Sequence, residues 1–168
     1  MIIPTLHIVQ GFLGAGKTTY SKTLADETAA VRLNADEYCE ENFSESELAD
    51  WDRCFSASID ALWLKAEEEL KTGNSVVLDF GFWDRTSRDH ARAQAERLDV
   101  PLVHVFVTAP DEVLKARIAR RSGPVAEDNL RKFEDLKRYF EPPHEDEKAV
   151  VIDSSKDSPK PEWEALRP

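Results

Sequence analysis

Between the apolar run that ends at Val9 and a segment suited to a helix lies Gly11-Phe12-Leu13-Gly14-Ala15-Gly16-Lys17-Thr18, the pattern GxxxxGK[ST]. In the setting strand, Gly-rich loop, helix, this pattern bends the backbone into a cup of inward-pointing N–H groups. Glycines at 11, 14 and 16 permit conformations and close approaches that a Cβ would obstruct. Phosphate oxygens are the expected occupant, favoured also by the positive end of the helix that follows. Lys17 supplies a charge for the β- and γ-phosphates, and Thr18 a hydroxyl for Mg²⁺. The stretch from Gly11 to Thr19 is therefore expected to bind ATP or a related triphosphate.

A phosphate loop of this kind belongs to a parallel α/β sheet, and the rest of the chain agrees. Apolar runs at 5–10, 31–34, 75–80, 102–108 and 149–153 read as strands, with helical stretches between most of them. Val76-Val77-Leu78 and Leu102-Val103-His104-Val105-Phe106-Val107 are too continuously apolar for a sheet with one wet face. Helices are expected over 17–29, 44–70, 86–98, 110–121 and 127–140. The second of these is either one long helix or two broken near Cys54, and Ser44-Glu45-Ser46-Glu47 resembles a capping box at its start. Trp51 and Trp63 on it fit a core stripe better than a substrate cleft. At 168 residues the chain is one domain in size, here taken as 1–153 with a tail at 154–168 whose Trp163 docks back or anchors a partner.

Charge and cysteine content narrow the function. Acidic residues outnumber basic ones 33 to 22, and the net charge of -11 works against nucleic acid and anionic membranes as partners. Cys39 and Cys54 match neither a zinc spacing nor a redox CxxC pair, and the four histidines are scattered. No apolar run reaches the ~18 residues needed to span a bilayer. A reducing, cytoplasmic setting is the expectation.

Phosphoryl transfer also requires acceptor activation. Asp36 lies just past the second strand, where the carboxyl ends of parallel strands line a ligand crevice. It is the candidate general base for an acceptor hydroxyl, with an N-cap as the alternative role. Asp79 ends the third strand, where a Walker-B acid holds Mg²⁺; burial there calls for a metal, Thr18 or a substrate group as its partner. Arg117, Arg120 and Arg121 crowd a helix end before Ser122-Gly123-Pro124, which suits a lid over the triphosphate, Arg121 ahead of Arg117. Arg85 and Arg88 either orient an acidic acceptor or pair with Asp84 and Asp89.

On these segments the chain resembles the small P-loop kinases, AAA-type ATP-binding proteins related to the kinase domain of phage-type polynucleotide kinase. Chloramphenicol phosphotransferase-like and gluconate-kinase-like enzymes belong to the same group. The resemblance implies a five-stranded parallel sheet in the order 2-3-1-4-5, flanked by helices and carrying a helical lid. It also implies the base role for Asp36 in Asn34-Ala35-Asp36-Glu37-Tyr38, and the lid for the stretch from Val113 to Gly123. Where polynucleotide kinases carry an arginine shortly after the base, this chain has Cys39. The reading that follows is an ATP- and Mg²⁺-dependent phosphotransferase acting on a small-molecule hydroxyl. A polynucleotide 5′-hydroxyl kinase, and a nucleotide-binding switch with slow hydrolysis, are the alternatives.

Overall fold

Five strands form one sheet in the computed structural model, which describes residues 3–156. They are β1 Leu6–Gln10, β2 Val31–Asn34, β3 Val76–Gly81, β4 Leu102–Thr108 and β5 Val150–Asp153. All pairs are parallel, in the order β2-β3-β1-β4-β5. This is the fold expected from the sequence. The central β1 is buried at all five positions, because helices cover both faces of the sheet and leave no reason for alternation. From β1 the chain first builds one side of the sheet, then returns and builds the other. That reversal places a crevice at the carboxyl end of β1, where the phosphate loop begins.

Successive strand residues feed opposite faces. Val9, Val77, Val105 and Val107 pack with Leu24 of α1 (Lys17–Thr28), with Leu114 and Ile118 of α5 (Asp111–Arg120), and with Phe133. Leu6, Ile8, Val76 and Leu78 pack with Leu62, Ala66 and Leu70 of α3 (Trp51–Lys71), and with Ala91 and Ala95 of α4 (Arg85–Leu98). Each fully buried aliphatic side chain in these layers contributes roughly 1.5–3 kcal/mol.

Two helices begin differently from expectation. Glu47 does fold back on Ser44, accepting from its N–H (2.8 Å) and hydroxyl (2.7 Å), but the closure ends in a turn. Asp50 then caps α3 afresh, its carboxylate accepting from Arg53 N–H at 3.3 Å. The buried stripe of α3 is Cys54, Ser58, Leu62, Ala66 and Leu70, each four residues from the last. A second stripe, Trp51, Phe55, Ile59 and Trp63, lines a cavity, and its last three members also pack against the edge of that core. The stretch expected as one helix after Gly123 is two, α6 Pro124–Arg131 and α7 Phe133–Tyr139, with Pro124 in the first turn of α6 where its missing N–H costs nothing. Among the described residues no helix is long and apolar enough to cross a membrane. Trp163 and most of the expected tail lie outside the described residues.

Candidate active site

The phosphate loop turns sharply because its glycines allow it. Gly14 has φ 76°, and a Cβ there would lie 2.8 Å from the Leu114 carbonyl oxygen; one on Gly11 would lie 2.7 Å from that of Val107. Gly16, at φ 96°, is the N-cap of α1, so Lys17 and Thr18 open the helix with its first N–H groups beside them. Lys17 donates from Nζ to the Phe12 carbonyl at 3.0 Å. Burial pushes its pKa below the ordinary value, against the opposing pull of the Asp79 and Asp36 carboxylates. A cavity of about 270 Å³ opens here, lined by Gly16, Lys17, Thr18, Asp36, Asp79 and Arg121 among others.

Asp36 stands second in α2 (Ala35–Asn42) and does not cap it. Asn34 does, its Oδ1 accepting from Glu37 N–H at 2.8 Å, so the capping alternative for Asp36 gives way and its carboxyl is left to the cavity. Burial raises the Asp36 pKa above the ordinary carboxylate value; Lys17 opposes the rise, while Asp79, Glu40 and Glu37 add to it. Such a group holds its proton more tightly than a surface aspartate, and in its ionised form it is the stronger base.

Asp79 is buried in β3, which runs two residues beyond it to Gly81, and three donors converge on its Oδ2: Ser21 Oγ at 2.8 Å, Asn34 Nδ2 at 2.9 Å and Arg32 Nη2 at 3.0 Å. Arg32 also donates to Glu37 Oε2 at 2.7 Å and to Ser21 Oγ at 2.8 Å. The expected partner of Asp79 was a metal, Thr18 or a substrate group; the partners present are these three side chains. Sequence reading missed Arg32. The signal was an arginine inside the strand Val31-Arg32-Leu33-Asn34, since a charge in a covered strand needs a counter-charge.

The basic residues part company. Arg121, at the end of α5, lines the cavity, and Arg120 is exposed outside it. Arg117 braces the phosphate loop instead: Nη1 donates to the carbonyls of Gly14 (3.3 Å) and Ala15 (3.4 Å) and to Ser154 Oγ (2.8 Å). Ser154 follows β5, and its own hydroxyl donates to Ala15 O at 2.7 Å. Neither Arg88 nor Arg85 lines the cavity, and Arg85 makes the surface pairing with Asp89 that the sequence offered as its alternative. Arg88 is fully buried, with Nε and Nη2 on the two carboxylate oxygens of Glu147 at 2.7 and 2.9 Å, and Nη1 on the carbonyls of Phe82 and Glu141. Arg85 forks onto Asp146 at 3.0 and 2.6 Å and pairs with Asp89 at the surface. A buried guanidinium with all its forks occupied has nothing to offer a substrate.

Beside the small cavity lies a larger chamber of about 910 Å³, the two sharing Leu13, Phe55, Phe80 and Trp83. Its walls are aromatic: the α3 stripe faces Phe80, Phe82 and Trp83 of the segment at the end of β3. Ring contacts set these positions, with Phe80 and Phe82 stacked at 5.6 Å, Trp63 edge-on to Phe80 at 6.1 Å, and Trp83 5.1 Å from Phe12. Trp51 and Trp63, expected in the core, both wall the chamber, and Trp63 also packs against the core.

Magnesium fits the donors present. Thr18 and Asp79 both line the small cavity and offer hard oxygens, although among the described residues no three His, Cys, Asp or Glu side chains gather into a cage. Magnesium bound with a nucleotide commonly takes only one or two protein oxygens, the rest coming from phosphate and water.

A family model described as AAA domain matches residues 6–143. Among solved structures, a sugar kinase from Janibacter sp. HTCC2649 aligns at 23% identity and TM-score 0.68, covering 92% of this chain and 87% of that one. A gluconokinase from Sinorhizobium meliloti 1021 aligns at 20% identity and TM-score 0.70, covering 99% and 91%. A chain of the Pnkp1/Rnl/Hen1 RNA repair complex aligns at 20% identity and TM-score 0.59, covering 84% of this chain and 47% of that one. At these identities the likeness is one of fold. No curated protein matches the sequence.

Proposed function

The chain belongs to the AAA domain family, and from that premise we propose that it is an ATP- and Mg²⁺-dependent phosphotransferase acting on the hydroxyl of a small molecule. The observation that carries the reading is the convergence of Lys17, Thr18, Asp36 and Arg121 on one cavity at the carboxyl end of β1. The reading takes 1–153 as the catalytic domain, with 154–168 as a tail. The kinase descriptions of the sugar kinase and gluconokinase neighbours support it.

In this mechanism residues 11–19 hold the triphosphate through main-chain N–H groups, and Lys17 places its ammonium against the β- and γ-oxygens. Arg117 keeps the loop carbonyls turned away from the anion by bonding them from the far side. Asp36 accepts the proton of the acceptor hydroxyl as that oxygen forms its bond to the γ-phosphorus and the bond to the β-bridging oxygen breaks, releasing ADP. Arg121 offsets charge on the phosphoryl oxygens during transfer. Thr18 and Asp79 would hold Mg²⁺, which would supply charge neutralisation for the phosphates.

Asp36→Asn tests the assignment, because it keeps the shape and removes the base. Turnover with an acceptor is expected to fall about a hundredfold or more, with ATP affinity retained. The wild-type rate is expected to fall on acidification at a pH above the ordinary carboxylate range, since the raised pKa leaves Asp36 protonated there. Unchanged transfer in Asp36→Asn removes the base role, and unchanged slow hydrolysis with no transfer to any acceptor favours the switch reading.

A further inference from the structure

Resting on the phosphotransferase reading, we infer that the acceptor is a bulky aromatic or apolar alcohol that carries a positively charged amine. The large chamber opens into the small cavity along Leu13, Phe55, Phe80 and Trp83, so an acceptor seated there presents one end to Asp36. Its volume of about 910 Å³ suits a whole organic molecule rather than a single sugar hydroxyl. Two tryptophans of α3 and the Phe80, Phe82 and Trp83 rings make the walls, and such faces attract apolar bodies and cations alike.

Charge selects among apolar alcohols. Asp52, Asp60 and Asp84 line the chamber, and none of its lining residues is lysine or arginine. Asp84 is engaged as the cap of α4, accepting from Ser87 N–H at 2.8 Å. Asp52 and Asp60 have neither an ion pair nor a hydrogen bond among the described residues, and both stand on the α3 wall with the tryptophans. The two arginines placed by sequence to receive an acidic acceptor are bound to Glu147 and Asp146. An ammonium between aromatic faces and two unpaired carboxylates is attracted from both sides, whereas a carboxylate or phosphate there is repelled.

Three matched naphthyl ether alcohols test this: the amine propranolol, its uncharged glycol naphthoxypropanediol, and its carboxylate naphthoxylactic acid. Binding to the full chain is measured by calorimetry without nucleotide, so that it is independent of transfer. The expected order is amine, then glycol, then carboxylate, with about tenfold or more between first and last at low salt. In the exposed double substitution Asp52→Asn with Asp60→Asn, the amine and carboxylate affinities are expected to move toward that of the glycol. Equal binding of all three, binding of none, or preference for the carboxylate overturns the inference. Labelled ATP is then added to the same three alcohols, to gluconate and to an oligonucleotide 5′-hydroxyl. Transfer to gluconate or the oligonucleotide in preference overturns the inference while the phosphotransferase stands. The expected order of binding with no transfer to anything keeps the chamber chemistry and removes the phosphotransferase.

Discussion

Two arginine–carboxylate pairs with a buried carboxylate stand out among the described residues, and they differ in what surrounds them. Arg88 and Glu147 are both fully excluded from solvent, joined fork to fork, with the remaining Arg88 donor on two main-chain carbonyls. Arg32 and Asp79 stand at the edge of the small cavity, where Asp79 takes three donors on one oxygen and Arg32 is shared with Glu37. The first pair is sealed from water, with Arg92 of the same helix 3.5 Å from Glu147 Oε2, and ties α4 to the segment before β5. The second is open on one side, so its geometry is felt by whatever occupies the cavity. Identical chemistry thus serves as a clamp in one place and as a support for a site in the other.

The largest effect expected is on the clamp. Arg88→Ala leaves Glu147 charged in the interior with only the Arg92 guanidinium, 3.5 Å from its Oε2, as a counter-charge, and is expected to cost about 3 kcal/mol in urea unfolding. Its KM for ATP should hold at temperatures where it stays folded. A stable variant with lost nucleotide affinity would erase the distinction between the pairs. Acid probes the same clamp without mutation. Burial alone would raise the Glu147 pKa, but the Arg88 and His144 N–H hydrogen bonds outweigh it and hold it at about 2, against an ordinary 4.5. The stabilisation is therefore complete above the unfolded-state value and is lost as pH falls from about 4.5 toward 2. Denaturant midpoints should drop across that window, and the Glu147→Gln variant should show a flatter profile.

Smaller effects belong to the cavity pair. Arg32→Ala is expected to lower kcat/KM for ATP by roughly tenfold, a loss of about 1.4 kcal/mol, with less harm to stability than Arg88→Ala because water can reach Asp79 from the cavity. A stability loss equal to that of Arg88→Ala would mean the pair is another clamp. Smallest is Ser21→Ala, which removes one of three donors to Asp79 Oδ2 and should cost about 1 kcal/mol, read by thermal unfolding.

Much of the molecule could be read along the chain, and the reasons are local. The loop glycines declare themselves because φ 76° at Gly14 and φ 96° at Gly16 are backbone requirements at those positions. β3 and β4 were recognisable from nearly unbroken apolar runs, since a strand covered on both faces has no polar side. The start of α3 was misplaced because Glu47 does reach back to Ser44 N–H, but Ser44 Oγ donates to Glu47 instead of capping its N–H, and a turn rather than a helix follows. Trp51 and Trp63 illustrate another limit. Aromatics four residues apart mark a buried face, yet α3 has two such faces, and periodicity does not say which one meets the sheet.

What the sequence determined by itself, then, is the phosphate loop, the parallel α/β sheet and the place of Asp36 at its rim, all of them set by contiguous residues. Tertiary structure decided the rest: that Arg88 belongs to Glu147, 59 positions away, and Arg32 to Asp79, 47 away. It also decided that an aromatic stripe of α3 walls a chamber and that Ser154 joins Arg117 behind the loop. Charged and aromatic side chains take their roles from neighbours that only folding brings within reach, because burial and Coulomb attraction act through space and not along the chain.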